Sequence, residues 1–271
     1  MLQQQFSVLM SLYFKESAEN LESCFLSLEQ QTLQPAEIIL VIDGPIGESL
    51  EQVVARWEEK LNVTRVQLDK NLGLGLALTE GMKHCSYEYI ARMDTDDICL
   101  PERFQRQMKF LSENPDVALL GTAVIEFDDV GQQRLKRLPE LHDDIKRFSR
   151  LKNPFNHMSV FFKKSVVEEV GGYRHHLYME DYNLWLRIIA ANFRTHNLTD
   201  ILLNVRTGSG MLKKRRGFNY IKSEASLFNL KRKLKTVSIA NNLATFAVRV
   251  FTRVVPEKFL EFLYRVDRAK V

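Results

Sequence analysis

Cysteine is scarce in this 271-residue chain, and its scarcity argues against two kinds of site. Only Cys24, Cys85 and Cys99 are present, an odd number without a CxxC spacing. A disulfide framework uses cysteines in pairs, and cysteine-containing zinc sites use closely spaced ligands. We therefore expect neither, and we expect the chain to work in a reducing compartment.

Long apolar segments are also lacking. The longest apolar run, residues 117–125, is far shorter than the roughly 20 residues that a membrane-spanning helix requires. Residues 6–14 are apolar as well, but no basic residue precedes them and no small-residue cleavage site follows. We interpret them as a first buried strand and not as a signal peptide.

A complete dinucleotide-binding motif is the third absence. Gly73 and Gly75 form a GxG, but Leu78 occupies the position of the third glycine, and the motif follows the third predicted strand instead of the first. We expect Asn71 and the two glycines to form a tight turn that lets the backbone approach a ligand.

The charge that is present is unevenly distributed. Residues 213–271 carry 15 Lys and Arg against 4 Asp and Glu, whereas the preceding residues carry 23 against 30. Such a basic segment would meet an anionic surface, either nucleic acid or the cytoplasmic leaflet of a membrane. Its apolar residues between 246 and 263 recur at helical spacing among arginines. This pattern fits either an interfacial membrane helix or a helix packed on the domain with a solvated basic face.

Apolar strands and amphipathic helices alternate through the first 110 residues. The strands are continuously apolar, which indicates a parallel sheet covered by helices on both faces. The predicted strands are residues 6–14, 37–42, 64–68 and 89–93, and the predicted helical segments are residues 16–31, 50–61, 74–85 and 102–111. Ligands of such sheets bind at the carboxyl ends of the strands.

Beyond residue 111 the pattern changes. We predict a strand over residues 117–127, a polar connection over residues 134–141, and a turn that leads into a strand over residues 153–164. His157 would open that strand and face a cleft, although a lone histidine is about as often structural as catalytic. A helix follows, with Glu180 and Asp181 at its start and a buried face of Leu184, Trp185, Ile188 and Ile189.

Three carboxylates, those of Asp94, Asp96 and Asp97, crowd the end of the strand at residues 89–93. Their mutual repulsion would raise a pKa or cost stability, whereas Mg²⁺ or Mn²⁺ is held by one or two carboxylates together with substrate phosphates. The pattern therefore predicts a metal-assisted diphosphate site. The alternative is an acidic cap on the helix that follows Pro101.

Other polar residues stand at the same predicted edge. Ser11 and Tyr13 lie at the end of the first strand, and Asp43 ends the second. Asp181 lies in the first turn of its helix, where an acidic residue is either a cap or a general base held at the helix N-terminus.

Six motifs in order carry a family resemblance: VLMSLYFK, VIDGP, NLGLGLALTEG, YIARMDTDDICLPERF, NHMSVFF and MEDYNLWLR. Over residues 5–210 the chain resembles the family 2 inverting glycosyltransferases of the GT-A fold. The segment GMLKKRRGFNYIKSE is similar to bacterial members that build O-antigen, capsule and exopolysaccharide units, amylovoran-type enzymes included.

The resemblance implies an α/β fold: a Rossmann-like, mostly parallel central sheet flanked by helices, with a C-terminal basic amphipathic helical tail. It divides the chain into a GT-A domain over residues 1–212 and a tail over residues 213–271. Within the GT-A domain, residues 1–115 would form the nucleotide-binding half and residues 116–212 the acceptor half.

On the nucleotide side, the resemblance implies that Ser11 and Tyr13 line the uridine pocket and that Asp43 hydrogen-bonds the uracil ring. Thr79 stands where relatives often have Asn. We therefore leave residues 71–81 out of the predicted site.

For the chemistry, the resemblance implies that Asp96 binds a Mn²⁺ or Mg²⁺ that bridges the two donor phosphates. Asp94 would bind the ribose or the water shell of the metal, and Asp97 would support them. Asp181 would be the catalytic base, with Glu180 as a less favoured substitute, and His157 stays a further catalytic candidate.

The implied function is inverting transfer of a hexose, galactose or glucose, from a UDP-sugar to a lipid-linked saccharide of the GlcNAc-diphosphoundecaprenol type. It would take place in the cytoplasm, at the inner face of the plasma membrane. A sugar-nucleotide nucleotidyltransferase is one alternative, but residues 11–15 contain no glycine for a triphosphate loop. A non-catalytic sugar-nucleotide-binding protein is another. The acidic body and the lack of a recognisable binding module argue against a nucleic-acid partner.

Overall fold

The computed structural model describes residues 5–128, 130–207 and 217–254. Four apolar segments of the first half form neighbouring strands: β1 (Phe6–Leu12), β2 (Glu37–Ile42), β3 (Val63–Gln67) and β4 (Tyr89–Arg92). They pair in parallel in the order β3-β2-β1-β4. The prediction of a parallel sheet in this half is confirmed.

Helices cover both faces of this sheet, which explains why the strands β1, β2 and β4 are buried on both sides, whereas the edge strand β3 is only partly buried. The helices of the first half are α1 (Ala18–Glu29), α2 (Glu48–Glu58), α3 (Leu74–His84) and α4 (Arg103–Glu113). On one face Phe25 of α1 stacks on Trp57 of α2, with ring centroids 5.7 Å apart. On the other face α3 packs in the same apolar cluster as Trp185.

The second half extends the sheet with strands of mixed direction. Its elements are β5 (Ile98–Cys99), β6 (Val117–Phe127), β7 (Gln133–Lys136), α5 (His142–Phe148), β8 (Phe161–Lys163), α6 (Lys164–Glu169), α7 (Glu180–Ala190) and β9 (Arg194–Arg206). The sheet continues from β4 in the order β8-β6-β9-β5, and β7 pairs with β6. Only the β6–β9 pair in this half is parallel among the described strands.

Two predictions in this half are wrong. The polar connection expected over residues 134–141 begins as β7, because Gln133–Lys136 find backbone partners along β6. His157 does not open a strand: it begins a 3-10 helix, His157–Ser159, and the strand β8 starts only at Phe161.

Two further helices, α8 (Phe218–Lys233) and α9 (Ile239–Val254), follow the sheet. A buried carboxylate joins them: Glu224 of α8 accepts hydrogen bonds from Arg249 Nε at 2.5 Å and from Arg253 Nη2 at 2.8 Å. Within the described ranges, no helix has both the length and the apolar character to cross a bilayer. The basic residues 213–216 and the apolar positions from 255 onward lie outside the described residues.

Candidate active site

The turn after β4 brings three carboxylates together. Strand β4 is buried and ends at Arg92, and the Met93 amide continues the pairing by donating to the Leu9 carbonyl at 3.2 Å. The chain then turns toward β5, and oxygen atoms of Asp94, Asp96 and Asp97 all lie within 4.8 Å of one another. We call these three residues the acidic cluster.

The acidic cluster is electrostatically strained. Burial, together with the charges of Asp94 and Glu16, raises the pKa of Asp96 to about 7. Burial, followed by the charges of Asp94 and Asp96, places the pKa of Asp97 well above its ordinary value. Sequence reasoning had not included Glu16, whose carboxylate also accepts a hydrogen bond from Thr95 at 3.3 Å.

A divalent cation fits this donor set. Asp97 accepts one hydrogen bond through Oδ1, from the Arg206 amide at 2.9 Å, while its Oδ2 is buried without a partner. An unpaired buried carboxylate oxygen is costly unless a cation or donor reaches it. Hard divalent ions prefer carboxylate oxygens, so the acidic cluster offers suitable ligands.

Arg92 is the cation closest to this cluster along the chain. Its side chain is fully buried, and Nη2 donates to the Asp94 carboxylate. Its Nε and Nη1 atoms are buried without a partner. Sequence reasoning missed this residue, although an arginine inside the otherwise apolar strand YIARM is an available signal.

The acidic pair Glu180–Asp181 begins helix α7. Asp181 accepts a hydrogen bond through Oδ2 from the Asn153 amide and one through Oδ1 from the Tyr182 N–H, both at 2.6 Å. Burial raises the pKa of Asp181, and these two donors oppose that rise. The Asn153 side chain is a positioning residue that sequence reasoning did not single out.

The structure brings the acidic pair and the acidic cluster close together. Burial, followed by the charges of Asp181 and Asp94, raises the pKa of Glu180 to about 7, although the charge of Arg92 opposes this rise. The charges of Arg92, Asp181, Glu180 and Asp94 also act on the hydroxyl of Tyr173, whose pKa burial raises. Two motifs separated by more than 80 residues in the sequence therefore share one electrostatic environment.

His157 lies beneath this region in a buried position. Its Nε2 is 2.9 Å from the Tyr173 hydroxyl, and its ring lies 5.9 Å from that of Trp185. Burial and the charge of Arg92 hold its pKa well below the ordinary value, so the ring is neutral. These contacts are those of a side chain that holds Tyr173 in place, and they offer no support for a catalytic role.

Among the predicted nucleotide ligands, Tyr13 lies nearest the acidic cluster. Tyr13 is 40% exposed, and burial of the rest of its ring, together with the charges of Glu16, Asp96 and Asp94, raises its pKa. Ser11 is partly buried at the carboxyl end of β1. Both side chains stand at the edge where the parallel strands end, as the sequence predicted.

Asp43 stabilises the loop before α3. Its carboxylate accepts hydrogen bonds from the amides of Leu72 at 2.6 Å and Gly73 at 3.0 Å. The turn at β2 leaves little space: a Cβ on Gly44, whose φ is 87°, would lie 2.6 Å from the Asn71 amide nitrogen. Asp43 therefore fixes the loop that leads into α3, while its contact with uracil stays a prediction.

Comparison with solved structures defines the class. The chain aligns with S. aureus TarS 1–349 in complex with UDP-GlcNAc at a TM-score of 0.67 and 17% identity, covering 92% of this chain and 72% of that one. It aligns with a mannosyltransferase from Pyrobaculum calidifontis in complex with GDP-Man and Mn²⁺ at 0.64 and 15%, covering 98% and 80%. The curled, mostly parallel sheet with flanking helices is a GT-A fold.

Sequence comparison gives the family: the chain belongs to glycosyl transferase family 2, whose pattern matches residues 7–171. The amylovoran biosynthesis glycosyltransferase AmsE of Erwinia amylovora is 55% identical over 263 residues, which cover 97% of this chain and 99% of that protein. An Escherichia coli UDP-Gal:alpha-D-GlcNAc-diphosphoundecaprenol beta-1,3-galactosyltransferase is 32% identical over 262 residues, covering 96% and 95%.

Proposed function

We propose that this chain is an inverting hexosyltransferase that moves galactose or glucose from a UDP-sugar to a lipid-linked saccharide acceptor in the synthesis of a bacterial surface polysaccharide. The observation that carries the proposal is the meeting of the acidic cluster and the acidic pair at one end of the sheet. The role of the Erwinia relative in amylovoran biosynthesis supports the polysaccharide pathway, and the galactosyltransferase activity of the Escherichia relative supports the substrate class.

The acidic cluster is the proposed metal site. Asp94 and Asp96 would hold a Mn²⁺ or Mg²⁺, and the unpartnered Oδ2 of Asp97 adds a third available oxygen. When bound, such an ion neutralises charge that develops on the departing diphosphate. Ser11, Tyr13 and Asp43 are the proposed contacts to the uridine.

The transfer is a single displacement at the anomeric carbon. The acceptor hydroxyl oxygen forms the new bond to that carbon, the bond to the UDP phosphate oxygen breaks, and the hydroxyl proton passes to a carboxylate on the opposite face. We assign this base to Asp181, which its bonds to Asn153 and Tyr182 hold in one orientation. Glu180 is the alternative base, and its pKa of about 7 favours it on chemical grounds.

A lipid-linked acceptor places the reaction at a membrane surface, and α9 presents a suitable face. Seven of its apolar residues are exposed, and we call them the apolar stripe: Ile239, Ala240, Leu243, Ala244, Ala247, Val248 and Phe251. The exposed cations Arg232 and Lys235 lie just before this helix. An apolar face flanked by cations binds an anionic leaflet, and we propose that the cytoplasmic leaflet is its partner.

The direct test is a transfer assay with a panel of UDP-sugars, Mn²⁺ and a synthetic GlcNAc-diphosphate-lipid. We expect UDP release that depends on the acceptor, with inversion at the anomeric carbon of the product. Release of pyrophosphate would indicate a nucleotidyltransferase instead. UDP binding without turnover of any donor would indicate a non-catalytic sugar-nucleotide-binding protein.

A further inference from the structure

A cavity of about 530 Å³ lies between the segment before α7 and one face of α8, with Asn183 of α7 in its wall. The face of α8 that lines it repeats at helical spacing and is polar or basic. Its main members are Lys222, Ser226, Asn229 and Lys233. The proposed reaction steps do not use any of these side chains.

The charge of the cavity has one sign. Arg174, Lys222 and Lys233 bring three cations to its wall, and no Asp or Glu is among the residues that line it. Lys222 and Lys233 are exposed, and their helix spacing of 11 residues, about three turns, places them on the same side of α8. Three cations without an acidic partner in the wall form a site for an anion with more than one charge.

The inner wall of the cavity is fixed by buried hydrogen bonds. The Asn183 Oδ1 accepts from Arg187 Nε at 2.9 Å, so the Asn183 amide nitrogen faces His176 Nδ1 at 3.0 Å. The His176 proton is then on Nε2, which donates to the Ser223 carbonyl at 3.0 Å. The loop before α7 and helix α8 are held together in this way, and the stacking of Tyr178 on Tyr220 at 4.9 Å adds to it. The cavity is therefore pre-organised.

The segment that lines the cavity comes close to Glu180, the alternative base. Asn183, in its wall, is three residues after Glu180 on α7, which is close to one helical turn of about 5.4 Å. Gly75 packs against both the Arg174 carbonyl and the Glu180 side chain: a Cβ at Gly75 would be 3.5 Å from the former and 3.1 Å from the Glu180 Cβ.

We propose that this cavity binds the diphosphate group of the lipid-linked acceptor, with Arg174, Lys222 and Lys233 as its cationic ligands. The inference rests on the proposed function, because only an acceptor with a diphosphate next to its sugar needs such a subsite. Lysine and arginine recognise phosphate oxygens through charge-assisted hydrogen bonds. With the diphosphate held here, the acceptor sugar would extend toward Glu180 and Asp181.

The test compares two water-soluble acceptors that carry the same GlcNAc and the same short alkyl chain, one with and one without the intervening diphosphate. The variants are Lys222→Gln and Lys233→Gln, both at exposed helix positions, and Lys109→Gln on the exposed face of α4 is the charge-matched control. The donor is the UDP-sugar that supports turnover by the wild-type enzyme. Circular dichroism and thermal unfolding verify that each variant is folded.

We expect each cavity variant to raise KM for the diphosphate acceptor about tenfold, the loss of one charge-assisted hydrogen bond. The kcat, the UDP affinity and the KM for the phosphate-free acceptor should stay at their wild-type values, and Lys109→Gln should change none of them. Added NaCl should raise the wild-type KM only for the diphosphate acceptor, because salt screens these cations.

Three results would overturn the inference. Equal effects on both acceptors would indicate a general structural role, and weaker UDP binding would assign the cavity to the donor. An unchanged KM together with weaker binding to phosphatidylglycerol vesicles would assign the cations to phospholipid head groups. If the wild-type enzyme used neither acceptor, the proposed function itself would fail, which is a distinct outcome.

Discussion

Two neighbouring regions near the start of helix α7 differ in the sign of their charge. At the carboxyl end of the sheet, the acidic cluster and the acidic pair bring five carboxylates into one region with the buried Arg92, and burial raises the pKa of Asp96 and Glu180 to about 7. On the side of α8, the cavity wall carries three cations and no carboxylate. Each region therefore carries charge that its own residues do not compensate. A bound cation would stabilise the first region, and a bound anion would stabilise the second.

Two buried carboxylates, those of Glu224 and Asp97, differ in whether hydrogen bonds compensate their charge. Glu224 is fully compensated, because both of its oxygens accept hydrogen bonds from arginines of α9. Asp97 is not, since one of its buried oxygens has no partner. A compensated charge fixes two elements together, whereas an uncompensated one is free to bind a ligand.

Removing the proposed base should have the largest effect on the acidic side. In Asp181→Asn, we expect the transfer rate to fall about 10²- to 10⁴-fold, because no carboxylate would take the acceptor proton in the transition state. UDP affinity, measured by calorimetry, should stay near the wild-type value. Asp143→Asn, at an exposed position of α5, is the control. Loss of UDP binding together with the rate would refute the assigned role, and a larger rate loss in Glu180→Gln would transfer it to Glu180.

Breaking the compensated charge should have the next largest effect, on stability. In Glu224→Ala, we expect the free energy of unfolding to fall by about 3 to 5 kcal/mol, since two arginine side chains lose their buried partner. Urea unfolding measures this loss, with Glu113→Ala on the surface of α4 as the control. Hydrogen exchange should accelerate first in α9. Exchange that accelerated equally in β1 and β4 would contradict the view that Glu224 acts on the helix pair.

The acidic pair should make stability depend on pH. Glu180 has a pKa of about 7 in the folded protein against an ordinary 4.5, so the folded state binds the extra proton and wild-type stability falls as pH rises between these values. The Glu180→Gln variant has no carboxyl group to titrate at this position, so its stability does not fall for this reason as the pH rises. Without divalent metal, we expect the variant to be more stable than the wild type by about 3 kcal/mol at pH 8 and by nothing below pH 4.5. A pH-independent difference between the two proteins would contradict this prediction.

The smallest expected effect concerns the apolar stripe. Leu243 is 51% exposed, and we expect Leu243→Ser to weaken binding to anionic vesicles about tenfold, since the leucine would lose an apolar environment worth about 1.5 kcal/mol. Leu26→Ser, at a 43% exposed position on α1, is the matched control. Vesicle sedimentation measures both. Equal binding by the two variants and the wild type would mean that α9 does not contact the membrane.

The first half of the fold was predictable from the sequence because three of its four strands, β1, β2 and β4, are buried on both faces. A continuously apolar segment such as Glu37–Ile42 has few alternatives to a central parallel strand. The polar edge strand β7 was not predictable in the same way: Gln133–Lys136 alternate between exposed and partly buried, and their conformation depends on pairing with β6. His157 illustrates the same limit, because its 3-10 turn has no periodic signal of its own.

The candidate site was predictable in its residue types and not in its connections. The motifs alone were enough to predict Asp94, Asp96 and Asp181 as site residues. Their common environment depends on Arg92, whose burial contradicts the rule that arginines face solvent. The cationic cavity combines Arg174 with residues of α8 more than 40 positions later, so only the packing of α7 against α8 reveals it.

We propose that the acidic cluster works by holding a divalent cation against the donor diphosphate. The most direct measurement is the affinity for UDP, by calorimetry with and without Mn²⁺, for the wild type and Asp96→Ala, together with acceptor-dependent UDP release in the same preparations. We predict that Mn²⁺ tightens UDP binding by the wild type at least tenfold, and that Asp96→Ala abolishes both this gain and the turnover. Metal-independent UDP binding, or turnover that survives in Asp96→Ala, would contradict the proposed metal-binding role of the acidic cluster.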